Sequence, residues 1–143
     1  MAAVFPLVLS GTTIQELQTA DTLSGYAQTG ATNTFSGAQI GGITTLTDGA
    51  TITPNFALNN SFTVTLAGNR TLANPTNLVA GQSGVIIINQ DATGGRTLAY
   101  GNAYDFSGAT APTLTTTANA QDMIAYFVVS TTRINCVFTG DLR

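Results

Sequence analysis

Apolar and polar residues alternate along Ser61-Phe62-Thr63-Val64-Thr65-Leu66. Side chains point to opposite faces along a strand, so this run sets Phe62, Val64 and Leu66 on one face. Val85 to Ile88 has no such alternation. Its β-branched residues are stiff at χ1 and pack well on a pleated surface, so the run reads as a strand buried on both faces. Gly84 precedes it, and Asp91 to Gly95 follow as a turn-forming cluster in which Gly94 and Gly95 take positive φ without steric cost. Arg96-Thr97-Leu98-Ala99-Tyr100 then alternates again, and the whole unit predicts a β-hairpin with a loop of about five residues. A second long apolar run, Asp122 to Val129, turns at Ser130-Thr131-Thr132 into Arg133 to Thr139.

Shorter strand signals fill the intervals. Ile43 to Thr47 ends at Asp48-Gly49, and Ala50 to Thr53 ends at Pro54. Arg70-Thr71-Leu72 closes at Asn74-Pro75, Ala103 to Phe106 stops before Ser107-Gly108, and Thr113-Leu114-Thr115 follows Pro112. Short strands with turn signals every 8–12 residues or so predict an all-β fold, an antiparallel jelly-roll-like sandwich. No internal repeat of roughly 20–50 residues stands out, which argues against a solenoid or propeller.

The first 48 residues read differently. Val4-Phe5-Pro6-Leu7-Val8-Leu9 is apolar but too short to span a membrane. The first basic residue is Arg70, so a positive signal-peptide n-region is missing as well. Thr13 and Glu16 have capping-box spacing, with Ile14 and Leu17 one turn apart, which fits a short helix near 13–19. An extended arm laying Ile14, Leu17 and Leu23 on a partner fits equally well. Residues 24–42 hold too little apolar material for a core of their own. The expected organisation is an N-terminal arm over 1–48 and a β-sandwich over 49–143.

Composition sharpens this. Only 8% of the 143 residues are charged, against roughly 25% in ordinary domains. The polar surface is therefore built from hydroxyls and amides. Lysine is absent, and the basic residues are Arg70, Arg96, Arg133 and Arg143. Lysines commonly guard the edges of β-sheets, so a lysine-free β protein is expected to hide its edges against copies of itself. A net charge of −3 without any basic cluster leaves no footprint for nucleic acid.

Candidate chemistry is sparse. The absence of His removes His-based triads, His-containing zinc sites and a His general base. Lone Cys136, in an alternating stretch, reads as a small buried hydrophobe. Asp91, Asp105 and Asp122 are the carboxylates that could form a glycosidase-type pair, though turn contexts favour backbone capping for Asp91 and Asp105. Asp91 with nearby carbonyls is a weaker cation-site candidate. Asn59-Asn60-Ser61 and Asn69-Arg70-Thr71 match the glycosylation sequon by chance in a chain rich in Asn and Thr. Tyr26, Phe35, Tyr100, Tyr104, Tyr126 and Phe127 are candidates for a sugar-stacking platform, with core packing the commoner fate. Arg70 and Arg96, each ahead of Thr-Leu, are read either as partners of carboxylates and carbonyls or as solvated. No enzyme activity and no cofactor is expected.

A set of motifs carries a resemblance: Leu66-Ala67-Gly68-Asn69-Arg70-Thr71-Leu72, Asn74-Pro75, Gly81, Gly84 to Ile88, Gln90 to Leu98, Pro112-Thr113-Leu114 and Asn119 to Met123. Over roughly residues 60–140 the chain resembles a β-rich domain of tailed-bacteriophage virion proteins. Ile14 to Leu23 resembles the stretch that leads into such domains in fibre-like proteins. The resemblance implies a virion location, on the capsid surface or on a tail or neck appendage, and a homotrimer. It brings no catalytic residues. A short arm leaves little room for a shaft, so the leading expectation is a head decoration or cement protein that binds the major capsid protein or other virion proteins. Its contacts to shell or sister subunit would be Val4, Phe5, Leu7, Val8, Leu9, Ile14, Leu17 and Leu23. The alternative is a short fibre or fibre tip that binds host-surface glycan through loops such as 100–112. Nucleic acid and membrane are not expected partners.

Overall fold

The computed structural model describes residues 7–10, 13–16, 38 and 40–142. The chain divides into two compact units, Met1–Gln39 and Ile40–Arg143. In the first, strands β1 (Leu7–Ser10) and β2 (Thr13–Glu16) pair antiparallel, from Leu7 opposite Glu16 to Ser10 opposite Thr13. Thr13 to Glu16 are thus extended, and the capping-box spacing does not start a helix there. Val4, Phe5, Leu17 and Leu23 lie outside the described residues, as do Tyr26 and Phe35.

The second unit is all-β, as its alternating patterns predict. Its strands are β3 (Thr44–Thr45), β4 (Thr51–Ile52), β5 (Ser61–Leu66), β6 (Arg70–Leu72), β7 (Ser83–Gln90) and β8 (Leu98–Tyr100). They are followed by β9 (Tyr104–Phe106), β10 (Gln121–Ser130) and β11 (Arg133–Thr139). The only described helical element is a single 3-10 turn, Ser107–Ala109.

The pairing departs from the antiparallel jelly-roll expectation. One sheet runs β3-β5-β7-β10-β11-β9 and a second runs β4-β6-β8. Odd and even strands up to β8 therefore alternate between the sheets, and within each sheet they lie parallel. The chain winds through three successive coils. Thr44 pairs with Phe62 and Phe62 with Ile86, steps of 18 and 24 residues; Thr51 pairs with Thr71 and Thr71 with Ala99, steps of 20 and 28. The unequal steps explain why the coils leave no repeat in the sequence, and the expectation against a solenoid is corrected accordingly. A third side of the coil is braced where Asn55 bridges Thr76 and the Phe56 N–H donates to the Thr76 carbonyl at 3.0 Å.

The expected central hairpin is also not formed. β7 pairs with β5 and β10, whereas β8 pairs with β6 in the other sheet. Loop 91–97 is a crossover, not a hairpin turn. Its geometry follows from Gln90, which is 3% exposed. The Gln90 side chain accepts the Arg96 N–H and donates to the Arg96 carbonyl, each at 2.9 Å. An inward amide thus replaces the partner strand that a hairpin would have supplied. Gly94 and Gly95 take the positive φ values, 72° and 74°, that the turn needs.

The antiparallel hairpin β10–β11 is present where the sequence predicts it, and β9 adds parallel to β11. Inward residues of both sheets form one core: Ile52, Leu72 and Leu98 from the smaller, and Phe62, Val64, Leu66, Ile86, Ile88, Ile124, Val128 and Ile134 from the larger. Phe56 stacks between Phe62 and Tyr126, with ring centroids 5.3 and 4.6 Å away. β7 is buried on its Ile86–Ile88 side only; Val85 and Ile87 are half-buried on the outer face. Cys136 is buried, and that burial pushes its thiol up to about 12.

Residues 40–48 belong to this unit. β3 extends the larger sheet, the Leu46 N–H donates to the Thr63 carbonyl, and Asp48 pairs with Arg70. The sheet edges β3, β4, β8 and β9 are two or three residues long. Very short edge strands restrict edge-to-edge pairing by themselves, so the fold does without guarding lysines at its borders.

Candidate functional site

The three candidate carboxylates are each engaged in holding the fold. Asp91 Oδ1 accepts the N–H groups of Thr93 and Gly94 at 3.0 and 2.8 Å, and its Oδ2 takes Arg96 Nη2 at 2.7 Å. The Arg96 guanidinium, aided by those N–H groups, holds the Asp91 carboxyl below the usual carboxylate range. Asp122 is 2% exposed and ties two segments to the start of β10, accepting the N–H groups of Thr115 and Asp141, each at 2.8 Å. Asp105 accepts Arg133 Nε at 2.8 Å. Asp122 faces the core and Asp105 faces outward on the same sheet, so these two cannot flank one bond. Among the described residues no group of three or more His, Cys, Asp or Glu side chains could hold a metal ion. Arg70 and Arg96 are the carboxylate partners that the sequence allowed.

The wider recesses, about 430 and 400 Å3, lie along Thr44 to Leu58 and around Asn74, Asn102 and Thr132; the aromatic candidates gather instead beyond β8, in residues 100–112. Gly101 makes the turn out of β8 possible: a Cβ there would collide with the Asn74 side chain and lie 2.7 Å from the Asn74 nitrogen. Asn74 in turn accepts the Ala103 N–H at 2.9 Å and donates to Asn102 Oδ1 at 2.6 Å. The Tyr104 hydroxyl donates to the Ala73 carbonyl at 3.1 Å. This frame fixes an aromatic cluster, with Tyr100 edge-on to Tyr104 at 6.2 Å and to Phe106 at 5.0 Å. Beyond it, Gly108 and Ala109 both take positive φ, 66° and 53°. Residues 107–111 are exposed, and buried Leu114 anchors the return.

Phe106 stands between two recesses. One, about 180 Å3, is lined by Tyr100, Tyr104, Asp105, Phe106, Ala109 and Ala111. The other, about 230 Å3, is lined by Phe106, Ser107, Thr110, Pro112, Val137 and Phe138, among others. Both are smaller than the roughly 300–1,000 Å3 of pockets for drug-sized ligands. The Tyr100 hydroxyl is buried with no hydrogen-bond partner among the described residues, and burial raises its pKa. The Asp105–Arg133 pair is open to solvent, with side chains 35% and 66% exposed. Tyr100, Tyr104 and Phe106 give the smaller recess aromatic walls, with Asp105, the ion-pair partner of Arg133, also on its lining.

Residues 52–130 match the family model described as "Putative phage tail fibre C-terminal domain".

The chain belongs to this family.

It is accordingly a phage virion structural protein of the tail-fibre type, and the matched span contains β5 to β10 and all of the 100–112 loop. No curated protein matches the chain, and no solved structure does.

Of the four described candidates for a stacking platform, this tail-fibre domain brings Tyr100 and Tyr104 together. It sends Tyr126 into the core, where its hydroxyl donates to the Asn60 carbonyl at 2.8 Å, and leaves Phe127 on the outer sheet face, 51% exposed. Phe106, Arg133 and Asn74 complete the site and were not singled out as candidates for it. Phe106 was in view only as a strand residue. The bond from Asn74 to a residue 29 positions away has no local signal.

Proposed function

We propose that this domain forms the host-facing end of a phage tail fibre and that the 100–112 notch binds saccharide units of the host surface. The observation that carries the reading is the notch itself: Tyr100 and Phe106 offer ring surface, and Asp105 and Arg133 offer hydrogen bonds that sugar hydroxyls can take. Membership of a tail-fibre family supports the tail appendage over the head-decoration role, which has the apolar arm alone in its favour. In this reading the protein acts as a homotrimer. Val4, Phe5, Leu7, Val8, Leu9, Ile14, Leu17 and Leu23 then contact sister copies or neighbouring virion proteins rather than the major capsid protein.

The test is competition. Purified full-length protein, added to host cells before phage, is expected to slow adsorption, and Phe106→Ala or Arg133→Ala is expected to weaken that block at least tenfold. Immunogold labelling is expected at tail tips. Uniform labelling of the head, or a block unaffected by either substitution, overturns the reading.

A further inference from the structure

The outer face of the larger sheet is unusual for a surface. Register places Ser61, Val85, Ala125 and Val137 in one row across β5, β7, β10 and β11, and Thr63, Ile87, Met123 and Thr139 in the next. Phe127 and Val129 continue the apolar area along β10. Phe127, Val129 and Val137 are 51%, 48% and 68% exposed. Arg133 is the charged side chain that β5, β7, β10 and β11 carry on this face, at its margin and paired with Asp105 on β9.

Some of the polar groups of this face are matched within it. Asn89 Nδ2 donates to Thr63 Oγ1 and to the Val64 carbonyl, both at 3.1 Å, and Gln121 Nε2 donates to Asn89 Oδ1 at 2.9 Å. Burial is costly where it leaves polar groups unmatched, and Asn89, Thr63 and the Gln121 amide nitrogen carry their partners with them. Four strands ~4.8 Å apart, of six, eight, ten and seven residues at ~3.3 Å per residue, present about 500 Å2 of mixed apolar and polar face. Two such faces turned on each other bury about 1,000 Å2, the size at which a specific interface begins.

We infer that this face, Val85–Ile87–Ala125–Phe127–Val137, is the surface through which copies of the chain associate. A second copy is the occupant that the face fits, because a surface whose one charged side chain, Arg133, is already paired with Asp105 at the margin meets no unpaired like charge when turned on itself. A partner selected by charge would find nothing to read. The inference is independent of which host molecule the 100–112 loop contacts.

Native mass measurement of the full-length chain tests it. Wild type is expected at a multiple of 14.7 kDa. Val137→Asp and Phe127→Asp are each expected to raise the dissociation constant at least tenfold, with circular dichroism unchanged. Thr71→Asp, the same charge at an exposed site on the other sheet, is expected to leave the mass as in wild type. Should the aspartates perturb folding, Val137→Cys gives a second readout, a reducible covalent pair under oxidation. A monomeric wild type overturns the inference. So does association untouched by the Val137 and Phe127 substitutions, or by Val137→Cys failing to cross-link an associated chain. The assay reads mass, so its failure is distinct from a failure of host binding.

Discussion

Gln90 and Arg96 are joined by two hydrogen bonds of 2.9 Å, a side-chain amide standing in for a strand on the far side of a crossover. Gln90→Ala leaves the Arg96 N–H and carbonyl without these partners. Each unmatched group costs about 1–3 kcal/mol, so the variant is expected to lose about 2–6 kcal/mol, read as a lower urea midpoint. Its m-value should be unchanged.

Asp122 makes a similar bond pair at the other end of the body. Asp122→Ala removes the acceptor of the Thr115 and Asp141 N–H groups and leaves a hole in a site that is 2% exposed. A loss of about 2–4 kcal/mol is expected from the two lost hydrogen bonds and the space left behind. Faster amide exchange at Thr115 and Asp141 than in wild type locates the effect.

Gly84 is required by crowding. A Cβ there would collide with the Asn60 carbonyl and come within 2.7 Å of the Tyr126 hydroxyl, which bonds that same carbonyl. Gly84→Ala must displace the β5 entry or the tyrosine, and overpacking of this kind costs about 1–3 kcal/mol. A lowered thermal midpoint checks it, and Tyr126→Phe in the same chain is expected to relieve part of the loss.

Acid stability depends on Asp48 and Asp91. Arg70 and Arg96 hold these carboxyls below their ordinary range. Their folded pKa values lie under the unfolded ones, so the stabilisation is complete above the unfolded carboxylate pKa of about 3.9 and is lost as pH falls through the depressed values. Denaturant midpoints are expected to hold from pH 7 to about 5 and fall below about pH 4. Replacing both aspartates by Asn should flatten that fall and lower the midpoint at pH 7.

The residues that were legible in the sequence are those whose signal is local. Phe62, Val64 and Leu66 alternate and are buried; Asp122 to Val129 turns into Arg133 to Thr139 as a hairpin. Which strand lies beside which was not legible, because alternation assigns a face without assigning a neighbour. The decisive groups were Gln90, a polar residue inside the core, and Asn74, whose partners lie 28 and 29 residues away. Thr13 and Glu16 had the spacing of a helix cap yet pair as strand, since two residues cannot outvote the cross-strand ladder from Leu7 to Glu16.

The two parallel ladders stop at β3 and β4, each of which offers its outer edge to no described neighbour. Every coil below is held by contacts to the coil next to it, as in stacked-repeat architectures. Evolution can therefore lengthen such a body one winding at a time, carrying the two ends of the stack further apart without redesigning the layers already laid down.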